Sequence, residues 1–321
     1  MLSFDRRTEL LSVFFWLSNY KINYSFIVNM EEASLYSKAI HYFKNSNYKK
    51  VVGLFETLVD KYDMTFDAPV ALFMQFNEDM TSYFLEEYPY VTRLNKNHLV
   101  NELMDEVIMF YKESNFENYY SSNSDYYNNI LIKQNSLHLN TIISFMDDLY
   151  GKEREQLNLS INITSGTTNG GYCVTNGNQI ICSSGLLNNN IYLYDSMVLH
   201  EFSHYFINPL THIWMNDNDK KDDLLFEDIK EIVKKQGYNS NETIINEYMI
   251  RAIECCYNDI YSNEDLSSFI EKNMNQGFKD IEHVYTLVKE EVIVPKRLIK
   301  DVYPKLLESF IAYLKSKHSI K

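Results

Sequence analysis

The sequence predicts an α+β protein that is mainly helical, with a small mixed β-sheet directly before a helix that carries two histidines. Three observations support this fold class. Apolar residues recur three and four positions apart over most of residues 6–150, alternate between about 157 and 187, and return to helical spacing after about 195. Helices on both sides of one short strand-rich region are typical of an α+β fold.

The first 150 residues are predicted to form amphipathic helices. Helical spacing is found in the segments RRTELLSVFFWLSNY, EEASLYSKAIHYFK, KVVGLFETLVDKY, NHLVNELMDEVIMFYKES and NNILIKQNSLHLNTIISFMDDLYG. Residues 114–129 are polar and predict an exposed bend. Gly151 is expected to end the last of these helices, because glycine readily adopts the backbone conformation of a helix C-terminus.

Between about 157 and 187 the sequence predicts a strand followed by a hairpin. LNLSINIT has the period-two alternation of a strand, and the turn signal Asn176-Gly177 lies between two runs with β character. Cys173 and Cys182 could face each other across the hairpin, although two buried thiols are the preferred interpretation. The strand at about 179–184 is where an extended peptide could add as an extra strand.

After this region the chain returns to helix, with Asp195 or Ser196 as the N-cap and Pro209 as the end of the first helix. Further helices are predicted at about 222–236, 242–258, 263–274 and 298–316. No linker is evident between domains. The sequence therefore predicts one domain over 1–321, with a helical N-terminal part (1–150), the sheet and histidine helix (151–210) and a helical C-terminal part (211–321).

Composition narrows the classes of function. The 30 Lys and Arg against 44 Asp and Glu give a formal net charge of −14, which argues against nonspecific binding to nucleic acid or anionic lipid. The apolar run LLSVFFWL is too short for a membrane span, follows Asp5 and Glu9, and has no small-residue cleavage site after it, so it is predicted to be a core helix rather than a signal peptide. The expected compartment is the cytoplasm, or the exterior if a signal peptide has been removed.

The stretch HEFSH, residues 200–204, carries the strongest functional signal. On a helix, His200 and His204 lie one turn apart on the same face, so both rings can reach one metal ion. Glu201 points to the side of that face and could accept a proton from a water molecule. The alternative interpretation is a structural pair of histidines.

A hydrolytic zinc site usually has three protein ligands and one open position. The pattern HExxHxxGxxH does not apply, because Ile207 and Leu210 occupy the positions of its glycine and third histidine. His212 is displaced from that pattern, lies beyond Pro209, and is predicted to be a surface residue. A downstream helix must therefore supply the third ligand.

The helix NETIINEYMIRAIECCYNDI, 241–260, is the candidate. Glu247, Arg251 and Glu254 are spaced four and three apart, which puts them along one stripe. In the absence of a metal, this stripe would be a solvated face with an ion pair between Glu247 and Arg251. With a zinc position to fill, Glu247 is the preferred ligand and Glu254 the alternative.

HEFSHYFINPL, followed downstream by NEYMIRAIE, resembles a bacterial family of zincin-type metallopeptidases known only as a domain of unknown function. DRRTELLSVFFWLSNY, YSKAIHYFK, TFDAP and the later QGF and VYP stretches are also similar to that family. The resemblance implies a single zincin-like domain of the gluzincin type, in which His200, His204 and Glu247 bind one zinc ion and Glu201 is the base. Arg251 departs from the pattern, since many gluzincins have at this position an acid that orients a histidine.

The sequence thus predicts a zinc metallopeptidase that acts on a peptide or protein substrate. Glu201 would be the general base, and Arg251, a tyrosine or His283 would stabilise the oxyanion. One alternative is a noncatalytic binding protein that keeps the zincin scaffold and a structural zinc. A weaker alternative is a helical interaction protein with no metal.

Overall fold

The computed structural model describes residues 2–18, 34–62, 64–65, 67–85, 98–134, 137–166, 171–176, 178–185, 194–217, 226, 229–234, 238, 240–262 and 265–318. Over these residues the chain is mainly helical and contains a small four-stranded mixed sheet, which confirms the α+β class. Among the described helices, none combines the length and the apolar character that a membrane span requires.

The chain divides into two compact units. Unit 1 comprises residues 1–137 and 158–194, and unit 2 comprises residues 138–157 and 195–321. The single domain over 1–321 stays a prediction, and the two units are described separately.

In unit 1, one strand and seven helices come before residue 158 within the described ranges. They are β1 Leu2–Phe4, α1 Arg6–Leu17, α2 Ser34–Phe43, α3 Lys49–Tyr62, α4 Ala68–Phe73, α5 His98–Glu113, α6 Phe116–Ser122 and α7 Ser124–Lys133. Helix α1 begins after Asp5, whose carboxylate accepts a hydrogen bond from the backbone N–H of Arg7 at 2.8 Å. Nearly every residue of α1 is buried, so the prediction of a core helix is confirmed.

The exposed bend predicted at 114–129 is wrong, because α6 and α7 occupy this segment. Phe116, Tyr119 and Tyr127 are buried and act as apolar anchors for the two helices. The ring of Tyr119, for example, packs edge-on against Phe43 with 5.0 Å between the centroids. A few aromatic contacts therefore outweigh the many serine and asparagine residues that suggested a bend.

The sheet of unit 1 confirms the predicted strand and hairpin. It contains β1 together with β2 Asn158–Thr164, β3 Gly171–Asn176 and β4 Gln179–Gly185, in the order β1-β2-β4-β3. β1 and β2 are parallel, β2 and β4 are parallel, and β3 and β4 are antiparallel. Cys173 and Cys182 occupy directly paired positions on the last two strands, as the sequence suggested.

Two features of the sheet differ from the sequence prediction. β4 is paired along both edges, by β2 and by β3, so the idea that residues 179–184 accept an added peptide strand is wrong. β1 was not predicted. It is only three residues long, and Leu2 pairs with Ile161 from a distant part of the chain, which a local pattern does not reveal.

Glu9 is a buried carboxyl group in unit 1. Its exposed fraction is 1%, and its Oε1 accepts a hydrogen bond from the backbone N–H of Ser165 at 2.8 Å. Burial raises the pKa of Glu9 to about 7, although the hydrogen bonds from Ser165 act in the opposite direction. No described cation forms an ion pair with Glu9. Its charge is therefore poorly compensated.

Unit 2 consists of helices over its described residues. They are α8 Leu139–Tyr150, α9 Lys152–Glu155, α10 Asp195–Asp217, α11 Lys230–Lys234, α12 Asn241–Tyr261, α13 Leu266–Asn275, α14 Ile281–Val288, a π-helix Lys289–Ile293 and α15 Ile299–His318. Gly151 ends α8 with a φ of 66°, as predicted. Helices α12, α13 and α15 confirm the predictions at 242–258, 263–274 and 298–316. Only part of the predicted helix at 222–236 lies within the described residues, as α11.

The predicted end of the histidine helix at Pro209 is wrong, because α10 continues to Asp217. Proline removes one backbone donor and usually kinks or ends a helix. Here the residues beyond it are held by tertiary contacts in unit 2. Thr211 Oγ1 lies 2.6 Å from the Tyr303 hydroxyl on α15, and Trp214 and Met215 are buried. This packing keeps the helix intact past the proline.

Candidate metal centre

Two long helices of unit 2 position the site. α10 carries His200, Glu201 and His204, and α12 carries the stripe of charged residues predicted at 247–254. α12 begins with a capping box, in which Ser240 Oγ accepts from the backbone N–H of Thr243 at 3.1 Å and the Thr243 side chain returns to the Ser240 backbone. Buried residues then follow from 244 to 258 on nearly every face, apart from the half-buried Arg251. The charged stripe is therefore turned into the interior.

His200, His204 and Glu247 form a cluster that could hold a metal ion, since one ligand atom from each lies within 4.8 Å of the others. His200 Nε2 is 3.7 Å from Glu247 Oε2, and His204 Nε2 is 3.5 Å from Glu247 Oε1. These distances are too long for good hydrogen bonds. Zinc bonds of about 2.0–2.2 Å in tetrahedral geometry would separate two ligand atoms by about 3.3–3.6 Å. The spacing therefore fits an ion between the three groups.

The opposite nitrogen of each ring faces an oxygen acceptor. His200 Nδ1 lies 3.1 Å from Glu254 Oε2, and His204 Nδ1 lies 3.2 Å from Asn208 Oδ1. When each Nδ1–H donates to its oxygen, the Nε2 lone pairs point toward Glu247. Glu254, the alternative third ligand from the sequence, thus contacts the far side of the His200 ring. Asn208 was missed as a partner, although its position four residues after His204 on a helix was a usable signal.

Arg251 is the third charged residue of the stripe, and its side chain is only 12% exposed. Its Nε donates to Glu247 Oε2 at 3.2 Å, which confirms the intrahelical ion pair. Its Nη1 donates to Asn273 Oδ1 and Gln276 Oε1, both at 2.7 Å. The Phe278 ring lies below the guanidinium, with 4.3 Å between Cζ and the ring centroid. Sequence reasoning missed these three partners, because they belong to another helix and the turn that follows it.

The charges of the cluster compensate one another in a buried place. Burial would lower the pKa of His200, but the carboxylates of Glu254 and Glu247 raise it well above its ordinary value. Burial would raise the pKa of Glu247, but His200, Arg251 and His204 hold it well below its usual range. Burial and the nearby charge of His200 lower the pKa of His204 to about 4. The site therefore offers an ionised carboxylate and a neutral His204 imidazole as metal donors, and His200 would release its Nε2 proton when it binds a metal.

Glu201, the predicted base, follows His200 directly on α10 and is buried, with an exposed fraction of 7%. Tyr238 lies close to the carboxylate of Glu247, since burial and the charge of Glu247 both raise the pKa of this phenol. His283 stacks on Tyr313, with 3.8 Å between the ring centroids.

His212 is a surface residue, as predicted, with its side chain 62% exposed and paired with Glu242 at 3.1 Å. It therefore plays no part in the cluster.

A family model described as "Domain of unknown function (DUF4932)" matches residues 91–308, which is more than half of the chain and includes every residue of the cluster. No curated protein and no solved structure matches the chain.

Proposed function

The chain belongs to the family described as Domain of unknown function (DUF4932), and we propose that it is a zinc-dependent metallopeptidase of the gluzincin type. The observation that carries the proposal is the cluster of two histidine Nε2 atoms that lie 3.7 and 3.5 Å from the two carboxylate oxygens of Glu247, with a buried glutamate next to the first histidine. A zincin-like fold, which the sequence resemblance implies, is part of this proposal.

The residues present fit a zinc ion. Two imidazole nitrogens and one carboxylate oxygen form one of the common donor sets of catalytic zinc sites, which leave a fourth position open. Imidazole ligands favour zinc and similar transition metals over magnesium and calcium, which prefer sites made of oxygen atoms alone. His200, His204 and Glu247 would be the three ligands.

When bound, zinc would lower the pKa of a water molecule and polarise the carbonyl group of a peptide bond. Glu201 would accept a proton from the attacking water and transfer it to the leaving amine. Its burial places the carboxylate in surroundings of low dielectric constant, where its interactions with developing charge are strong. Glu254 would keep the His200 ring in the orientation that directs Nε2 to the centre.

The role of Arg251 in catalysis stays a prediction, and its contacts favour another role. Its Nε and Nη1 already donate to Glu247, Asn273 and Gln276. An oxyanion stabiliser needs donors directed at the substrate. These observations favour Arg251 as a residue that positions the third ligand.

The second candidate function is a noncatalytic binding protein with a structural zinc. The observation in its favour is the hydrogen bond from Arg251 to Glu247 Oε2, at a position where many gluzincins, by the resemblance, have an acid. This candidate shares the metal site with the first and differs in having no hydrolytic activity.

The test combines metal analysis with activity. Protein purified without chelator or metal-affinity tag is assayed for zinc by plasma mass spectrometry, and the zinc-loaded protein is incubated with a peptide library. We expect about one zinc ion per chain, as for a three-ligand catalytic site, and cleavage of peptides. Glu201→Gln should retain zinc and lose about 10²–10⁴-fold of the activity, since general acid–base catalysis contributes on that order.

Glu242→Gln is the matched control, because it lies in the first turn of α12 outside the cluster. It should keep both the zinc content and the peptidase activity of the wild type. Full activity in zinc-loaded Glu201→Gln would contradict the mechanism. Zinc binding without cleavage of any peptide would support the noncatalytic candidate.

A further inference from the structure

We propose that Arg251 is a positioning residue that fixes the carboxylate of Glu247 for zinc binding, and that residues 273–278 hold Arg251 in place. The inference rests on the proposed function, because it takes Glu247 as a zinc ligand. It assigns a purpose to a buried arginine that no catalytic step requires.

The contacts of Arg251 fix the plane of its guanidinium. Nε donates to Glu247 Oε2 on one side, and Nη1 donates to Asn273 Oδ1 and Gln276 Oε1 on another. The Phe278 ring supports one face of the group at 4.3 Å, a favourable cation–π distance. Because the guanidinium is rigid and planar, fixing Nη1 also fixes the direction of the Nε–H bond toward Glu247.

The anchoring residues are themselves held in place. Asn273 is buried, and its Nδ2 donates to the backbone oxygen of Phe269 at 2.9 Å within α13. Phe278 is fully buried, and its ring packs edge-on against Tyr248 of α12 with 5.1 Å between the centroids. Gly277 links Gln276 to Phe278 with a φ of 107°, a conformation that favours glycine. The turn is therefore part of the support for Arg251.

The position of Arg251 beside Glu247 is better explained by the direction of its hydrogen bond than by its positive charge. A guanidinium close to a cation site repels the cation, so charge alone would favour a neutral or acidic residue at position 251. The hydrogen bond to Oε2 restrains the flexible Glu247 side chain and leaves Oε1 directed at His204 Nε2, 3.5 Å away. A ligand that is ordered before binding loses less rotamer freedom when the ion arrives.

Arg251→Lys tests this inference, because it keeps the positive charge and removes the planar guanidinium group. Zinc affinity is measured by competition with a chromogenic chelator. We expect affinity to fall about 10–100-fold, the usual loss when a residue that supports a metal ligand is changed. The visible absorption spectrum of the cobalt(II)-substituted protein, which reports coordination geometry, should also change.

Gln276→Ala provides a second test that leaves all charges in place and applies even if Arg251→Lys does not fold. Its zinc affinity should lie between those of the wild type and Arg251→Lys. The matched control is Asp259→Asn, on the same helix, which weakens contacts to Lys289 and Tyr285 without touching the cluster. This control should bind zinc like the wild type and give an unchanged cobalt spectrum.

Wild-type affinity and an unchanged spectrum in Arg251→Lys would overturn the positioning role, since charge alone would then be enough. If Arg251→Lys does not fold, wild-type affinity in Gln276→Ala would overturn it instead. A wild-type protein that binds no zinc would contradict the proposed function itself, and this result is distinguishable from the first two.

Discussion

Glu9 in unit 1 and Glu247 in unit 2 are both buried carboxyl groups, with exposed fractions of 1% and 3%, yet they differ in charge behaviour. Burial raises the pKa of Glu9 to about 7, because no described cation pairs with this carboxylate and the hydrogen bonds from Ser165 offset the effect of burial only in part. His200, Arg251 and His204 hold the pKa of Glu247 well below its usual range despite equal burial. Compensation by neighbouring cations, rather than burial, therefore distinguishes a candidate ligand from a structural acid.

The same isosteric change, Glu→Gln, should have opposite effects on stability in the two regions. It removes a well-compensated charge from unit 2 and a poorly compensated charge from unit 1. A third change, Glu254→Gln, measures how much the carboxylate that faces His200 Nδ1 contributes to zinc affinity.

Glu247→Gln should have the largest effect. Removing this carboxylate leaves the largely buried side chain of Arg251 without its counter-charge, and breaking a buried ion pair typically costs about 3–5 kcal/mol. Denaturant unfolding of the zinc-free protein should show this loss in the free energy of unfolding. Zinc affinity should fall by more than about 100-fold, since the proposed third ligand is lost and a change in a residue that only supports a ligand already costs about 10–100-fold.

Glu242→Gln, with its exposed ion pair to His212, is the control for Glu247→Gln and should change the free energy of unfolding by less than about 1 kcal/mol. Equal zinc affinity in the wild type and Glu247→Gln would mean that this carboxylate is not a ligand.

Glu9→Gln should stabilise the protein at alkaline pH. The ordinary pKa of a glutamate is 4.5, and the folded pKa of Glu9 is about 7, so the folded state binds the proton more tightly. The contribution of this proton to stability is fully present below pH 4.5 and is lost as the pH rises through 7. At about 1.4 kcal/mol per pKa unit, the shift in the pKa of Glu9 contributes about 3 kcal/mol to the free energy of unfolding in total.

Urea unfolding of the wild type and Glu9→Gln at pH 5 and pH 8 tests this prediction. Glutamine keeps an oxygen for the Ser165 N–H and carries no charge, so the variant should gain about 2.5 kcal/mol over the wild type between these two pH values, less than the total because pH 5 already lies above the unfolded pKa. Glu113→Gln, an exposed change on α5, should show no such gain. A difference between wild type and Glu9→Gln that does not depend on pH would refute the assignment of a raised pKa.

Glu254→Gln should have the smallest effect. Glutamine can still accept a hydrogen bond from His200 Nδ1, but it lacks the charge that makes the imidazole a stronger donor to a metal. Zinc affinity is expected to fall about tenfold, at the lower end of the usual range for such partners. Chelator competition on the wild type and Glu254→Gln at one pH measures the loss, and a drop as large as that of Glu247→Gln would make Glu254 a ligand instead.

Periodic features of the fold were predictable from the sequence, and features that depend on distant contacts were not. The helices that contain 242–258 and 298–316 have strong apolar spacing, and the hairpin has a clear turn signal. β1 has three residues and exists through pairing with a distant strand. Helix α10 continues through Pro209 because Thr211 and the residues after it pack against other helices, and the residue pattern alone carries no information on that packing.

The candidate site shows the same division. His200, His204 and Glu247 could be selected because zinc chemistry restricts both the residue types and the helical spacing, and the structure brings their donor atoms together. Whether Arg251 faces a substrate or a ligand depends on side chains at 273, 276 and 278, which come from a separate helix and turn. Glutamate at 254 likewise could be either a ligand or a partner until the orientation of the His200 ring was known.

Glu247, Arg251 and Glu254 lie on one helix at intervals of four and three residues, which has a consequence for how the centre can vary. Each residue inserted into an α-helix rotates everything beyond it by about 100°. A single insertion or deletion between positions 247 and 254 would therefore turn Glu254 away from His200 while Glu247 stayed in place. A substitution on α12 alters one of these contacts at a time, but a change in the length of the helix within these eight positions would separate the proposed ligand Glu247 from Glu254 in one step.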